Sequence, residues 1–366
     1  MKITHIETYP VALPPIDPPF RWRAGLPGSA QYGPMDGVVL RIGTDEGVDG
    51  VAFFSRLGAG AMLESLVEHV YRPEFIGKDP LNREWHYHRM WELDRMQEFP
   101  LPVFGLFDVA LWDLAGRAAG LPVWKLLGGM RDTLPAYAST ATFDTTEEFL
   151  DVASQCLELG FKAIKLHAWG DAKKDAALCL ALREHVGDEL DLMYDGSAGF
   201  DLPDAIYLGN ALSDANYRWY EEPMREFSIS AYKELARSVR VPLLSAETSD
   251  GAYMNSADFI AAGAATFGVR ASAGLRGGIT GAMRTAHLAD AFRLRAEVHG
   301  GGVHAEHLCM AISNTTYYES FVPSVDVVRE SVVDADGLLH APTEPGIALP
   351  PGLDYHPSIQ QYARTA

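Results

Sequence analysis

The chain has 366 residues, 48% hydrophobic and 22% charged, the balance of a soluble globular protein large enough for an α/β barrel plus an accessory domain. Its formal charge of −19 argues against nucleic acid or anionic membrane as partner, since both require a basic surface, but leaves room for a small anion in a locally positive site. Three cysteines without CxxC spacing, an N-terminus lacking a long apolar core and no 18-residue apolar run point to a cytoplasmic protein without disulfides or membrane spans.

Residues 1–55 read as a β meander, THIETYPVAL and then GVVLRIGTDEGVDGVAFF with a turn at Asp45-Glu46-Gly47. Between its arms lies a Pro- and Gly-rich stretch, 14–34, of the length expected of a lid or binding loop. Residues 60 to about 125 read as helices, ending in DVALWDLAGRAAGLPVWKLLGG. From about residue 130 short apolar strands alternate with amphipathic helices: PAYAST, KAIKLH, DLMYDG, WYEEP, LLSAET, FGVRAS and LRAEVHG are the strand candidates. Such alternation implies a parallel sheet with right-handed crossovers, and seven or eight units imply a closed barrel. The fold class is therefore α/β. The expected organisation is an α+β capping domain over 1–125, a (β/α)₈ barrel over 126–325, and a segment 326–366 whose hairpin-like run, VVRESVVDADGLLHAPTEPG, returns to the cap.

Polar residues end these strands at a regular interval. Ser139, Lys165, Asp195, Glu221, Glu247, Ser272 and His299 follow one another at 25 to 30 residues, one βα unit each time. A barrel turns that interval into adjacency at the C-terminal strand ends, where such barrels build active sites. Lys165 and His167, two apart on one strand, share a face. Three acids on consecutive strands repel one another unless a cation intervenes, so Asp195, Glu221 and Glu247 are read as ligands of a hard divalent ion, Mg²⁺ first and Mn²⁺ as a substitute. The same parts suit abstraction of the weakly acidic proton beside a carboxylate. The ion stabilises the enediolate, Lys165 or His167 supplies a base on one side, and His299 reaches from the other. An amine at Lys165 would need a depressed pKa, from burial and nearby positive charge.

With those residues in view the chain resembles the enolase superfamily, in its mandelate racemase-like branch, over nearly its whole length. DVALWDLAGRAAGLPVWKLLGG (108–129) resembles the signature joining cap to barrel, and GFKAIKLH the strand bearing the Lys-x-Lys pair. MYDG, WYEEP and SAET resemble the three metal-ligand strands, GLRGGITGA the glycine-rich stretch after the sixth strand, and EVHG the strand of the catalytic histidine. The resemblance implies that Glu319, in TYYES, hydrogen-bonds a substrate carboxylate when protonated. It implies dehydration of acid sugars as the commonest reaction, with racemisation or epimerisation and lactone cycloisomerisation as alternatives. It also implies assembly into dimers or octamers. A non-catalytic binding barrel is the alternative of another class. Two departures stand out: Lys165-Leu166-His167 replaces Lys-x-Lys, and Ser272 stands where an Asp normally pairs with the histidine.

Other residues carry weaker signals. Arg270 faces inward two residues before Ser272, to brace a metal-ligand carboxylate or, as the alternative, to bind a substrate anion. Arg21 and Arg23 flank Trp22 in the FRWRAGL loop and are candidates to close over substrate. His304 and His307 in VHAEH suit a helix N-terminal turn better than a metal site, and His86 and His88 suit packing or surface. The glycines of RLGAGAM and GLRGGIT are weak evidence for a nucleotide or anion cradle.

Overall fold

The fold is taken from a computed structural model, which describes residues 1–14, 21, 23, 36–56, 59–98 and 100–364. Most of the loop read at 14–34, including Trp22, lies outside the described residues, as do Leu57 and Gly58 of RLGAGAM.

The N-terminal meander forms as three antiparallel strands in the order β1 (Ile3–Val11), β2 (Asp36–Thr44) and β3 (Asp49–Arg56). Against it packs the helix Leu101–Ala119, which has no polar stripe and is buried nearly all round, because the sheet covers one side and the barrel helix Gly278–Ala291 the other. Two acids interrupt its apolar surface, and each has a use. Asp108 accepts from the Thr280 backbone N–H at 2.9 Å and its hydroxyl at 2.6 Å, capping the barrel helix. Gly278 permits this approach: its φ is 86°, and a Cβ there would lie 2.3 Å from an Asp108 carboxylate oxygen.

Asp113, fully buried, accepts from the backbone of Val51 (2.8 Å), Ile347 (2.6 Å) and Ala348 (3.2 Å) and from Arg117 Nε (2.8 Å), tying meander, helix and C-terminal segment together. Asp113→Ala would strand these donors in the interior. Urea unfolding should show a loss of about 3 kcal/mol or more; a change within about 0.5 kcal/mol would mean that the tie is dispensable.

The barrel strands are β4 (Thr133–Thr140), β5 (Ala163–His167), β6 (Asp191–Asp195), β7 (Trp219–Glu221), β8 (Leu243–Ser245), β9 (Gly268–Ala271), β10 (Arg295–Val298) and β11 (Tyr318–Val322). They run parallel in chain order from β4 to β10, and β11 pairs with the other edge of β4. Single bonds span β10 and the chain around β11, such as Ala296 N–H to Asn314 O at 3.2 Å. Polar caps start the intervening helices: Thr145 and Glu148 form a capping box, and Asp171, Asp201 and Ser228 cap the next three. Alternation along the strands builds two inner layers. Tyr137, Ala163, Met193, Trp219 and Leu244 fill an apolar floor. Two residues on, Ser139, Lys165, Asp195 and Glu221 form a polar layer above it.

The C-terminal segment opens with a turn at 334–337 that leads into β12 (Leu338–His340), antiparallel to the start of β4. Leu349, Tyr355 and Ile359 then pack with Val11, Val39 and Val51 on the meander.

Candidate active site

Strand register assembles the site. His167 of β5 is level with Asp195 of β6, which is level with Glu221 of β7. Glu247 follows β8, and ligand oxygens of Asp195, Glu221 and Glu247 fall within 4.8 Å of one another, the one such metal-sized group among the described residues. All three acids are buried.

Two cations are set among them. Lys165 Nζ lies 2.8 Å from Glu319 Oε1, 3.0 Å from Glu221 Oε2 and 3.3 Å from Asp195 Oδ2. Arg270, fully buried, places Nε 2.5 Å from Glu221 Oε1 and 3.6 Å from Glu247 Oε2, and Nη2 2.6 Å from Glu319 Oε2. The acids are thus partly neutralised by two strand-borne cations: Arg270, read from the sequence as a brace for a metal-ligand carboxylate, lies against Glu221, while Lys165, read as a base, pairs with three carboxylates. Burial works against the Lys165 ammonium, but Glu221 and Glu319 outweigh it and hold its pKa well above the usual lysine range, opposite to the depression expected of an amine base. Burial likewise opposes ionisation of Glu319, yet Lys165 and Arg270 hold it well below the usual carboxylate range. As an acceptor it already receives Ser139 Oγ–H at 2.9 Å and Gly300 N–H at 2.6 Å.

The donor set fits a hard divalent cation. All three candidate ligands offer oxygen. Four carboxyl groups, Asp195, Glu221, Glu247 and Glu319, face two cations, so with all four ionised a divalent ion would balance the set. Burial, with repulsion from Asp195 and Glu247, pushes Glu221 well above the usual carboxylate range despite Arg270 and Lys165. Among the described residues the buried oxygens Glu221 Oε1 and Glu247 Oε2 accept no well-directed hydrogen bond.

An imidazole stands at each end of the triad. His167 Nδ1 lies 2.7 Å from Thr140 O, which only accepts, so Nδ1 donates there; Nε2 faces the pocket, 3.1 Å from Asp195 Oδ2, a second acceptor. His299 Nε2 lies 3.1 Å from Glu247 Oε1, and its ring is 30% exposed, open to the mouth. Ser272 Oγ accepts from Leu275 N–H at 3.2 Å, so this serine shapes its own loop.

Of the residues singled out in the sequence, Lys165, His167, Asp195, Glu221, Glu247, Arg270, His299 and Glu319 come together. Arg23 lies on the rim: its side chain packs on Gly170 and Gly199, just past β5 and β6, and Nε donates to Ser197 O at 3.0 Å. Arg21 is half exposed and pairs with Asp144 at 2.5 Å. Half-buried His304 and buried His307 belong to the helix Val303–Ala311, where His307 Nδ1 accepts Trp124 N–H at 3.2 Å. His86 is buried and His88 is an exposed helix-surface residue. The sequence reading passed over Tyr137, whose ring packs under Lys165, and Thr140, which orients His167.

Residues 29–128 match the model of the mandelate racemase/muconate lactonizing enzyme N-terminal domain, and residues 148–352 that of the enolase C-terminal domain-like family. The chain belongs to the mandelate racemase/muconate lactonizing enzyme family. A 3,6-anhydro-alpha-L-galactonate cycloisomerase of Streptomyces coelicolor is 27% identical over 319 residues, 84% of this chain and 87% of that protein. A D-glucarate dehydratase from Agrobacterium tumefaciens, solved with magnesium, superposes with a TM-score of 0.83 at 30% identity, covering 95% of this chain and 96% of that one. An L-talarate dehydratase from Polaromonas sp. JS666, complexed with Mg and L-glucarate, gives 0.79 at 26% identity, covering 100% and 98%. As a member of the enolase superfamily this chain is an enzyme of the lyase or isomerase type, and Asp195, Glu221 and Glu247 form the acidic triad able to bind its metal ion. No helix among the described residues is long and apolar enough to cross a membrane.

Proposed function

We propose that the chain is an acid-sugar dehydratase, taking an aldonate or aldarate to its 2-keto-3-deoxy acid. The observation that carries this reading is the pair of imidazoles on opposite flanks of the triad, His167 against Asp195 and His299 against Glu247. Dehydration needs one group to take the C2 proton and one to give a proton to the departing 3-hydroxyl. Mg²⁺ held by the triad would supply the positive charge that takes up the second negative charge developing on the substrate carboxylate.

His167 Nε2 is the base in this assignment: Thr140 O keeps a proton on Nδ1, and Nε2 would be released from Asp195 Oδ2 once that carboxylate ligates the metal. Lys165 is not, since three carboxylates surround its amine; it serves as a fixed positive charge toward the substrate carboxylate. Glu319 fixes Lys165 and Arg270, and Arg270 braces Glu221. His299, open to the mouth, donates the proton on which the hydroxyl leaves as water. The enol then takes up a proton at C3 as it becomes the ketone. Arg23, on the rim, is assigned to the far end of the substrate. The sugar-acid relatives named above support this substrate class.

The test is a screen of aldonic and aldaric acids with Mg²⁺, trapping keto acid with semicarbazide. A semicarbazone from at least one acid is the expected result. Exchange of α-hydrogen for solvent deuterium without keto acid on every acid tried would replace dehydration by epimerisation.

A further inference from the structure

The loop that carries Glu247 is gripped by two buried side chains of opposite charge, one from each neighbouring loop. Glu226, in the loop after β7, accepts the backbone N–H groups of Ala246, of Thr248 at 2.8 Å and of Ser249 at 3.1 Å. Arg276, in the loop after β9, donates to the carbonyl groups of Glu247, of Ser249 at 3.0 Å and of Ala252 at 3.2 Å, and to Ser249 Oγ at 3.3 Å. One side chain thus collects the donors flanking Glu247 and the other collects the acceptors. Glu226 is 3% exposed and Arg276 not at all, so neither is available to substrate. The gripped backbone is costly by itself: Ala246 and Ala252 sit at φ of 64° and 50°, a conformation that alanine adopts only under constraint.

We propose that Glu226 and Arg276 are positioning residues that set the metal affinity of the site by fixing where Glu247 presents its carboxylate. The inference rests on Glu247 being a metal ligand. A carboxylate matches a row of N–H donors, and a guanidinium fork reaches several carbonyls at once, whereas an amide or an ammonium satisfies only part of either set. Loss of such outer partners typically costs about 10- to 100-fold in metal affinity.

The test measures Mn²⁺ binding to the chelator-stripped full-length protein by electron paramagnetic resonance, beside its thermal unfolding. Glu226→Gln and Arg276→Lys should each weaken Mn²⁺ binding about 10-fold or more while still unfolding cooperatively. If Glu226→Gln is recovered unfolded, Arg276→Lys makes the same comparison. Wild-type Mn²⁺ affinity in either folded variant overturns the proposal, as does loss of the fold in both, which would make the pair structural only. Failure of the unsubstituted protein to bind Mn²⁺ would instead strike the metal reading on which the inference rests.

Discussion

Glu221→Gln should abolish divalent-cation binding and lower turnover on the order of 10³-fold or more, the loss of several kcal/mol at about 1.36 kcal/mol per tenfold. Glu221 is the central acid of the triad and fully buried, level with Asp195 on one side and held by Arg270 Nε at 2.5 Å and Lys165 at 3.0 Å. The amide keeps the shape but removes one of the negative charges that hold two buried cations. Asp195, Glu247 and Glu319 would then leave one negative charge beyond Lys165 and Arg270 instead of two, and the central ligand position would offer a neutral oxygen to an incoming ion. The effect should appear in Mn²⁺ titration as well as in activity, and a variant with wild-type affinity and turnover would rule Glu221 out as a ligand.

Alanine at either imidazole should lower kcat by about 10²- to 10⁴-fold, the usual worth of general acid or base catalysis, but the two losses should differ in kind. His167→Ala removes the base, so exchange of α-hydrogen with deuterated solvent and keto-acid formation should fall together. His299→Ala leaves the base and its Thr140 contact intact, so exchange should persist while water loss fails. Both variants retain the triad and should bind Mn²⁺. The reverse pattern, exchange surviving without His167 and failing without His299, would invert the assignment of base and acid.

Much of the site could be read from the sequence, because a parallel barrel converts a 25- to 30-residue interval into spatial adjacency. Lys165, His167, Asp195, Glu221, Glu247 and His299 required only that each strand be found and its inward face identified. The eighth strand, Tyr318–Val322, escaped that approach: its YESFV lacks a clear apolar core, and its pairing partner β4 lies some 180 residues away. Glu319 was therefore visible only through family resemblance. The internal neutralisation of the acids was legible only in part, in Arg270 as a brace for a metal-ligand carboxylate. An inward Arg270 is legible, but its reach to both Glu221 and Glu319 depends on barrel curvature that no local pattern encodes. Glu226 and Arg276 lie in loops without periodicity, and their role follows only from which backbone atoms they meet. Asp108 and Asp113 sit inside an apolar helical pattern whose sequence gives the helix but not the ties those acids make.

The most direct test is diffraction from crystals grown with Mn²⁺, read at a wavelength where manganese scatters anomalously. One anomalous peak should stand within bonding distance of an oxygen of each of Asp195, Glu221 and Glu247. An anomalous map without a peak there, at a Mn²⁺ concentration that supports turnover, would contradict the account.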